Sequence, residues 1–461
     1  MIVRLNGIFD EYNGPIGGGQ SIYNSVVSTP PTAFAPFYPK TSNEQYIQHI
    51  LFGLSTEKNY VNPYAELVKG YKEYSNSKME AQLELKQDLD FITDGLRFRG
   101  LFNTSRYSYY EVQRQYRPFY YDLVGLSPFT GEYIYDPLNE ESGSEYLDFN
   151  EIRPRTSTVA YTEAAFDYSK KINENHNITA MTVFTMRHML KGNSGSLQES
   201  LPFRNLGVSS RLTYGYKNRY FTEFNFGYNG SERFHKKNRF GFFPSLGAGW
   251  VVSNEEFWKP LEDVVSNFKI RGSYGVVGND AISSDQNRFQ YLSEVNMNNG
   301  TRGFTFGDNY GNYKAGISLD RYANDDITWE RGYKSNIGIE LGLFNKAELL
   351  VDIFKENRKN IFMQRADVPT TMGLTSPIYA NIGEATSSGV DLQFKFNHAF
   401  NNGSWLQMMG NFTYATSEYN KIEEPAYDEP YLSRVGYSLR QQWGYIAERL
   451  FIDDEEVANS P

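Results

Sequence analysis

From Asn238 to Asn279 the chain reads NRFGFFPSLGAGWVVSNEEFWKPLEDVVSNFKIRGSYGVVGN. Phe240, Phe242, Leu246, Ala248, Trp250 and Val252 are apolar, and Gly241, Ser245, Gly247 and Gly249 between them are small, so a period of two persists along the run. That is one long, two-faced strand. A second follows, with Phe268, Ile270, Tyr274 and Val276 on one side and Lys269, Arg271, Ser273 and Gly275 on the other. The connector offers Ser253 or Asn254 as cap for one or two helical turns, since Glu255, Glu256, Leu261 and Val264 follow at helix-compatible spacing. The pair is therefore a hairpin. Pro244 is expected to mark a bulge or kink, because a proline removes a ladder hydrogen bond, and a glycine row with bulges suits a wide, curved sheet.

The same parity recurs along the chain. Met79, Ala81, Leu83, Leu85, Leu89 and Phe91 oppose Lys78, Glu80, Gln82, Glu84, Lys86, Asp88 and Asp90. The run exceeds the usual soluble strand and suits a tilted membrane span of about 9 to 11 residues plus an overhang. Further on, Ile337, Ile339, Leu341 and Leu343 oppose Asn336, Gly338, Glu340 and Gly342. Val390, Leu392, Phe394 and Phe396 oppose Asp391, Gln393, Lys395 and Asn397, and Leu406, Met408, Phe412 and Tyr414 oppose Gln407, Asn411 and Thr413. Lys269, Arg271, Glu340, Asp391 and Lys395 thus fall on the polar parity and are the candidates to face a watery lumen.

Composition agrees. Aromatic residues make up 16% of the 461, with 36 Tyr and 33 Phe far ahead of 5 Trp. Yet mean hydropathy is -0.57, and no stretch approaches the ~20 consecutive apolar residues of a membrane helix. Aromatic but hydrophilic fits alternating strands around a wet interior. The net charge of -10 argues against a nucleic-acid partner, whose phosphates need a basic field. Cysteine is absent, which removes disulfides, thiolate metal sites and a cysteine nucleophile.

In chain order, residues 1–9 alternate as a strand and enter GPIGGGQ, where no G-K-[ST] follows and no helix is expected, so this is a plain loop. STPPTAFAPFYPK is proline-broken and kept out of a sheet interior. Tyr107, Tyr109, Tyr110, Tyr116, Tyr120, Tyr121, Tyr133 and Tyr135 are read as an interfacial girdle, with sugar stacking the alternative. DPLNEESGSEYLD lacks calcium-loop spacing and is read as a solvated acidic loop. Tyr161 to Met189 reads as two strands around NENHN, and Val208 to Tyr228 as two around the tight turn Lys217-Asn218.

Connection lengths set the architecture. Turns near 217–219, 344–346 and 401–404 are very short and the one at 253–267 is modest, whereas 279–326, 358–383 and 418–437 are long and polar. Short turns at one end and long loops at the other are the outer-membrane barrel rule, with the long loops extracellular and the short turns periplasmic. No fixed repeat of the propeller kind is present. The expected fold is all-β, an incomplete transmembrane antiparallel β-barrel of roughly 14 to 16 strands against ~22 for a plugged transporter.

The runs NRFGFFPSLGAGW, FKIRGSYGVVGND and ITWERGYKSNIGIELGLF, with the stretch from Pro369 to Glu384 that ends in NIGE, resemble the SusC/RagA family of TonB-linked, TonB-dependent outer-membrane transporters. The likeness is ordered over Thr158 to Pro461 and thinner before it, where RLNGIFDEYNGP, SRYS and RPFYY carry it. It implies a signal peptide, a small leading domain, a TonB-contacting segment and a plug, none of which matches here. MIVRLNGIFD carries charges where a signal peptide would have an apolar core. Residues 1–461 are thus expected to be part of one outer-membrane barrel domain, excerpted without plug, signal peptide or last strands. The resemblance further implies integral residence in the bacterial outer membrane among lipid, a SusD-like surface lipoprotein that lids the loops, and the TonB complex acting through the missing parts.

No catalytic residue, cofactor or metal ligand is assigned, and no enzyme is expected. His49, His176, His188, His235 and His398 lack ligand spacing, Asp325-Asp326 and Asp453-Asp454-Glu455-Glu456 lack the geometry of a glycosidase pair, and there is no G-x-S-x-G elbow. Binding is the better prospect. The 279–326 loop offers Tyr291, Arg302, Asp308, Tyr310 and Tyr313 as candidates to face an oligosaccharide or peptide, among Phe304, Phe306 and Arg321. The leading function is import of a large hydrophilic nutrient. A surface binding or adhesion protein on the same barrel and a soluble secreted β-protein are the alternatives.

Overall fold

The computed structural model describes residues 1–56, 59–447 and 449–460. The chain divides into two compact units, one of residues 1–86, 99–163 and 186–204, the other of residues 87–98, 164–185 and 205–461.

The first unit holds β1 (Ile2–Gly14), α1 (Gly18–Ser28), β2 (Phe37–Tyr38), β3 (Leu51–Gly53), α2 (Pro63–Val68), β4 (Gly70–Asp88), β5 (Leu96–Gln115), β6 (Tyr120–Leu126) and β7 (Tyr133–Pro137), with parts of β8 (Asp148–Ile172) and β9 (His176–Gly192). β1 and β4 pair antiparallel in unbroken register from Ile2 opposite Glu84 to Gly14 opposite Lys72. β4 stops at Asp88, so Leu89 and Phe91 lie past the strand in which they were expected. A helix, α1, does open within GPIGGGQ, at Gly18, contrary to the expectation of a plain loop. Gln20 to Ser28 contain no proline or glycine to break it once Gly17 and Gly18 have turned the chain.

The connections before β4 and after β5 fold together into a four-stranded sheet, order β2-β3-β6-β7, in which β3 and β6 run parallel. Tyr38, Leu51, Tyr121 and Tyr135 form its core, with Tyr38 and Tyr135 stacked at 4.8 Å. Buried Asn62 holds the start of α2: its Oδ1 accepts from the Tyr64 and Ala65 amides, while its Nδ2 donates to the Pro36 and Gly53 carbonyls. Tyr121 and Tyr135 are thus packing residues, and Tyr120 and Tyr133 lie in the same sheet, so the girdle reading fails for these four. The pairing partners sit some seventy residues apart in sequence, beyond any local pattern. The proline-rich stretch supplies only the two-residue edge strand β2, as its prolines require.

The second unit continues through β10 (Phe203–Tyr216), β11 (Tyr220–Ser231), β12 (Phe240–Val251), β13 (Val265–Asn279), β14 (Glu294–Phe306), β15 (Asn312–Arg321), β16 (Glu330–Leu343), β17 (Ala347–Gln364), β18 (Tyr379–Ala399) and β19 (Trp405–Lys421). Its ladder order is β10-β11-β12-β13-β16-β17-β18-β19, antiparallel throughout. Among the described residues the main sheet counts thirteen strands, below the 14 to 16 expected, and β14 and β15 pair as a separate hairpin inside what had been read as one loop. β19 ladders with β18 on one side and carries only the Tyr419–Val435 bridge on the other, and no closed barrel is seen among the described residues.

Turns after alternate strands are short. Lys217-Asn218 and Phe344-Asn345 all have positive φ, as two-residue hairpin turns require, and Gly403 at φ 86° closes the turn from β18 to β19. At the opposite end run the connections 280–329 and 365–378, the second shorter than expected because β17 and β18 extend further. Pro244 makes no bulge: β11 and β12 pair without a register shift through it, and the β12–β13 ladder begins one residue later at Ser245. The proline sits where the second neighbour's ladder ends, so its missing N–H costs nothing there.

One face of this sheet is apolar and uncovered by the rest of the described chain. Leu246 and Ile337 are 60% exposed, Ile353 and Phe412 57%. Aromatic pairs mark both ends of it, Tyr228 on Phe240 at 5.2 Å and Tyr220 on Trp250 at 6.2 Å. Phe240 to Trp250 spans ~33 Å at ~3.3 Å per residue. A tilt of ~45° projects this to ~23 Å, close to the ~25 Å apolar band of an outer-membrane barrel. No helix among the described residues is long and apolar enough to cross a membrane.

At the short-turn end, two 3-10 turns (Val252–Asn254 and Glu256–Leu261) join β12 to β13. Neither Ser253 nor Asn254 caps them as expected; the Asn254 amide donates instead to the Asn218 carbonyl at 2.7 Å. Glu255 is the anchor. Its Oε1 accepts from the Tyr220 hydroxyl at 2.7 Å and from Trp250 Nε1 at 3.1 Å, its Oε2 from Arg219 Nη1 at 3.0 Å. The Tyr220 bond above all, with Trp250 and Arg219 behind it, holds this carboxyl below the usual glutamate range. A depressed folded value stabilises fully above the unfolded value near 4.5 and is lost as pH falls through the lower folded one. Glu255→Gln is therefore expected to lower the denaturation temperature at pH 7 and to flatten its fall below pH ~4.5. Parallel acid profiles for wild type and variant would remove Glu255 from that role.

Candidate functional site

The other face of the second unit carries the polar residues. Cross-strand register brings Phe221, Gly249, Arg271, Gly338, Asp352, Asp391 and Thr413 into one row across β11 to β19. Arg271 is the hub. Its Nε donates to Glu340 Oε1 at 3.0 Å and its Nη2 to Asp352 Oδ2 at 2.7 Å, while Lys269 Nζ reaches the same Glu340 oxygen at 3.1 Å. The guanidinium crosses directly over Gly338, where an added Cβ would stand 2.7 Å from Arg271 Cζ and 2.8 Å from Asp352 Oδ1. Glycine at 338 is what lets the bridge form. Asp391, directly opposite Asp352, accepts from the Thr413 hydroxyl at 2.7 Å.

Of the five residues expected to face a lumen, Lys269, Arg271 and Glu340 are joined in this network and Asp391 borders it through Asp352. Lys395 lies further along β18, opposite Glu348 and Met409, and takes no part. Asp352 was missed because the alternation of β17 was not read, and Gly338, already placed on the polar parity of its strand, was not singled out.

Above the network the face is hollow. A cavity of about 600 Å³ and another of about 500 Å³ share Glu223, Gly247, Ser273 and Asn336 in their linings. Gly247 and Gly249 form the floor, and their missing side chains leave ordinary 3.8 to 4.0 Å separations rather than a tight approach. Aromatic rings also stand on the polar parity, Phe354 over Gly389 among them. Phe243 lies over Gly241 and Gly278 and is buried with Phe234, Ile327 and Trp329 at the long-connection end, and Phe221 opens on the smaller cavity.

The expected ligand-facing residues are spread along the 280–329 connection. Tyr291 lies near its start, edge-on to His235 at 5.8 Å. Arg302 is in β14, Asp308 and Tyr310 occupy the tip between the strands, and Tyr313 in β15 donates its hydroxyl to the Gly300 carbonyl. The hairpin thus gathers four of the five, with Phe304 and Tyr310 strongly exposed. Its base is tied by Lys237 to Asp326 at 2.8 Å and by Arg321 to Glu294 at 3.0 Å, so Asp326 is an ion-pair partner.

Comparison with known proteins fits this geometry. TonB-dependent receptor P39 of Formosa agariphila is 25% identical over 65% of the chain, which covers 30% of that protein. TonB-dependent receptor SusC of Bacteroides thetaiotaomicron is 29% identical over 49% of the chain and 22% of its own length. The chain therefore matches less than a third of each of these relatives. Among solved structures, the RagAB peptide importer in its open-open state superposes with a TM-score of 0.61 at 19% identity, over 87% of this chain and 42% of that one, a likeness of fold. The model of the TonB dependent receptor-like, beta-barrel family matches residues 10–451. With nearly the whole sequence matched and strands whose bare apolar face is of membrane height, the chain belongs to the TonB-dependent receptor-like β-barrel family, whose members are integral to the outer membrane.

Proposed function

We propose that this chain is part of the barrel of a SusC/RagA-type importer, which takes a large hydrophilic nutrient, an oligosaccharide or peptide, across the outer membrane with TonB supplying the work. The observation that carries the reading is the division of one sheet between an uncovered apolar face and a polar face with hollows above a paired-charge network. In this reading residues 1–461 are one barrel domain, and Lys269, Arg271, Glu340, Asp391 and Lys395 line its interior. The β14–β15 hairpin presents Arg302, Asp308, Tyr310 and Tyr313 outside, with Tyr291 at its base, where a SusD-like lipoprotein would close over captured ligand. The solved structure of like fold is a peptide importer, which is compatible with the peptide side of that cargo range.

Deleting the gene that carries this chain from its host is expected to abolish growth on one polymeric nutrient and uptake of its fluorescent oligomers. The intact gene should restore both, and should fail to do so in a host lacking TonB. Unimpaired uptake with lost surface attachment would replace transport by adhesion.

A further inference from the structure

β16 and β17 set two cations against each other where their ladder nears the long connections. Arg331 and Lys359 are direct cross-strand partners, so both side chains leave the same face of the sheet. That face is the apolar one, since Ile337 and Ile353 share their parity. Like charges directly opposite each other repel. Lys359 has only a loose pairing with Glu384 at 4.0 Å, and Glu384 itself stands opposite Lys421. Arg331 makes no ion pair among the described residues, and neither does Lys355, which is exposed four residues nearer the short turn on the same side of β17. Every acid of the two strands, Glu330, Glu340, Glu348, Asp352 and Glu356, has the opposite parity. On one flank β13 presents Tyr274, Val276 and Gly278 at this level, and on the other the acids of the face are Glu384 and, one strand further, Glu418. The outward side of β16 and β17 therefore holds three cations and no carboxylate of its own.

Their height says what meets them. Lys355 lies eight residues along β17 from Ala347, and Arg331 twelve along β16 from Leu343. At ~3.3 Å per residue and a tilt of ~45°, these are ~19 Å and ~28 Å above the short-turn end, against ~25 Å for the apolar band. Lys355 is thus inside the upper edge of the band, and its flexible stem carries the ammonium up towards the pair. A cation there without a counter-ion is costly. β16 and β17 each have a strand on both sides, so further strands cannot add to them, and whatever fills the interior meets the other face. What remains is the headgroup layer of the outer leaflet, because the long connections mark the extracellular end. Phosphate groups at that level supply the missing charge, a guanidinium taking two oxygens and an ammonium one. Ser335, opposite Lys355, and Asn357, whose Oδ1 accepts from the Thr386 hydroxyl at 3.1 Å and leaves its amide N–H groups to donate, add neutral partners for sugar hydroxyls. A second copy of the chain is a poor occupant, since a two-fold contact centred here would set cations on cations.

We infer that Arg331, Lys359 and Lys355 form a site on the outer surface of the barrel for the phosphate groups of a phosphorylated glycolipid of the outer leaflet. The inference needs membrane residence and the direction of the strands, and it stands or falls apart from the import reading. The full-length protein is reconstituted in phosphatidylcholine nanodiscs and titrated with lipid A, with phosphatidylglycerol and with inorganic phosphate. Lipid A should bind saturably and raise the melting temperature, and the other two should do neither at the same concentration. Arg331→Gln combined with Lys359→Gln should weaken lipid A binding about tenfold or more. In phosphatidylcholine alone the same double variant should melt higher than wild type, because the repulsion between the pair is gone, whereas loss of a structural contact would make it melt lower. Lys355→Gln should weaken lipid A binding less, and Lys334→Gln, a cation of β16 on the inward parity, should leave it unchanged. Equal lipid A affinity in wild type and the double variant, equal binding of phosphatidylglycerol, saturation by inorganic phosphate, or a lower melting point of the double variant in phosphatidylcholine would each overturn the site. So would a dimer of the chain that the double substitution dissolves, which would give the patch to a protein interface.

Discussion

Lysine at position 337 is expected to lower the folding stability of the full-length protein in lipid vesicles by about 2 to 4 kcal/mol, the cost of a cation near the bilayer midplane on the lipid face of a barrel. Ile337 is 60% exposed midway along β16, and its immediate cross-strand neighbours, Gly272 and Ile353, carry no polar side chain. In water an exposed isoleucine replaced by lysine would cost within about 0.5 kcal/mol, as surface substitutions usually do. The size of the penalty thus reports which solvent meets this face. Gln393→Lys supplies the internal control. It lies on the polar parity of β18, between Leu350 and Asn411, and should change stability by less than about 1 kcal/mol. Urea titration of vesicle-folded protein, followed by tryptophan fluorescence, reads both. Equal small effects at the two positions would mean that water or protein, not lipid, covers the apolar face.

That orientation was legible in the sequence because each β-strand alternates strictly, so parity alone assigned Lys269, Arg271, Glu340 and Asp391 to one side and Ile337, Ile339 and Leu392 to the other. Turn chemistry was equally readable. Lys217-Asn218 needed two residues with positive φ between apolar runs, and an asparagine there tolerates it. What escaped was non-local. The parallel pairing of Phe52 with Tyr120 links two connections whose local patterns give no sign of each other, and α1 opens among glycines that would suit a loop equally well. The site was half visible. Its charges followed from parity, but Phe221 and Phe243 looked like ordinary strand aromatics until the register showed them on the wrong face, each lying over glycine. An aromatic on the polar parity opposite a glycine is the signal that could have found both.

Phe243 and its neighbours carry the second large effect. Trp329→Ala is expected to destabilise the protein by about 3 to 5 kcal/mol, the usual result of removing a buried large aromatic. Trp329 packs against Phe234 at 5.1 Å and Phe243 at 5.3 Å, with Ile327 completing a buried cluster. Its indole N–H is buried without a hydrogen-bond partner among the described residues, so the loss would be one of packing alone. Trp329→Phe should accordingly cost far less than alanine, since it gives up some volume but also relieves an unsatisfied donor. The cluster joins β12 to the last residues of the 280–329 connection, and Asn238 adds hydrogen bonds to the Asp325 and Ile327 carbonyls. Loosening it should therefore release the β14–β15 hairpin before the sheet. Limited proteolysis of Trp329→Ala is expected to cut within 294–321 many times faster than in wild type, while the ladder from β16 to β19 stays protected. Cleavage at the wild-type rate would show that the hairpin is held by its own Arg321–Glu294 and Lys237–Asp326 pairs and owes nothing to the aromatic cluster beneath it.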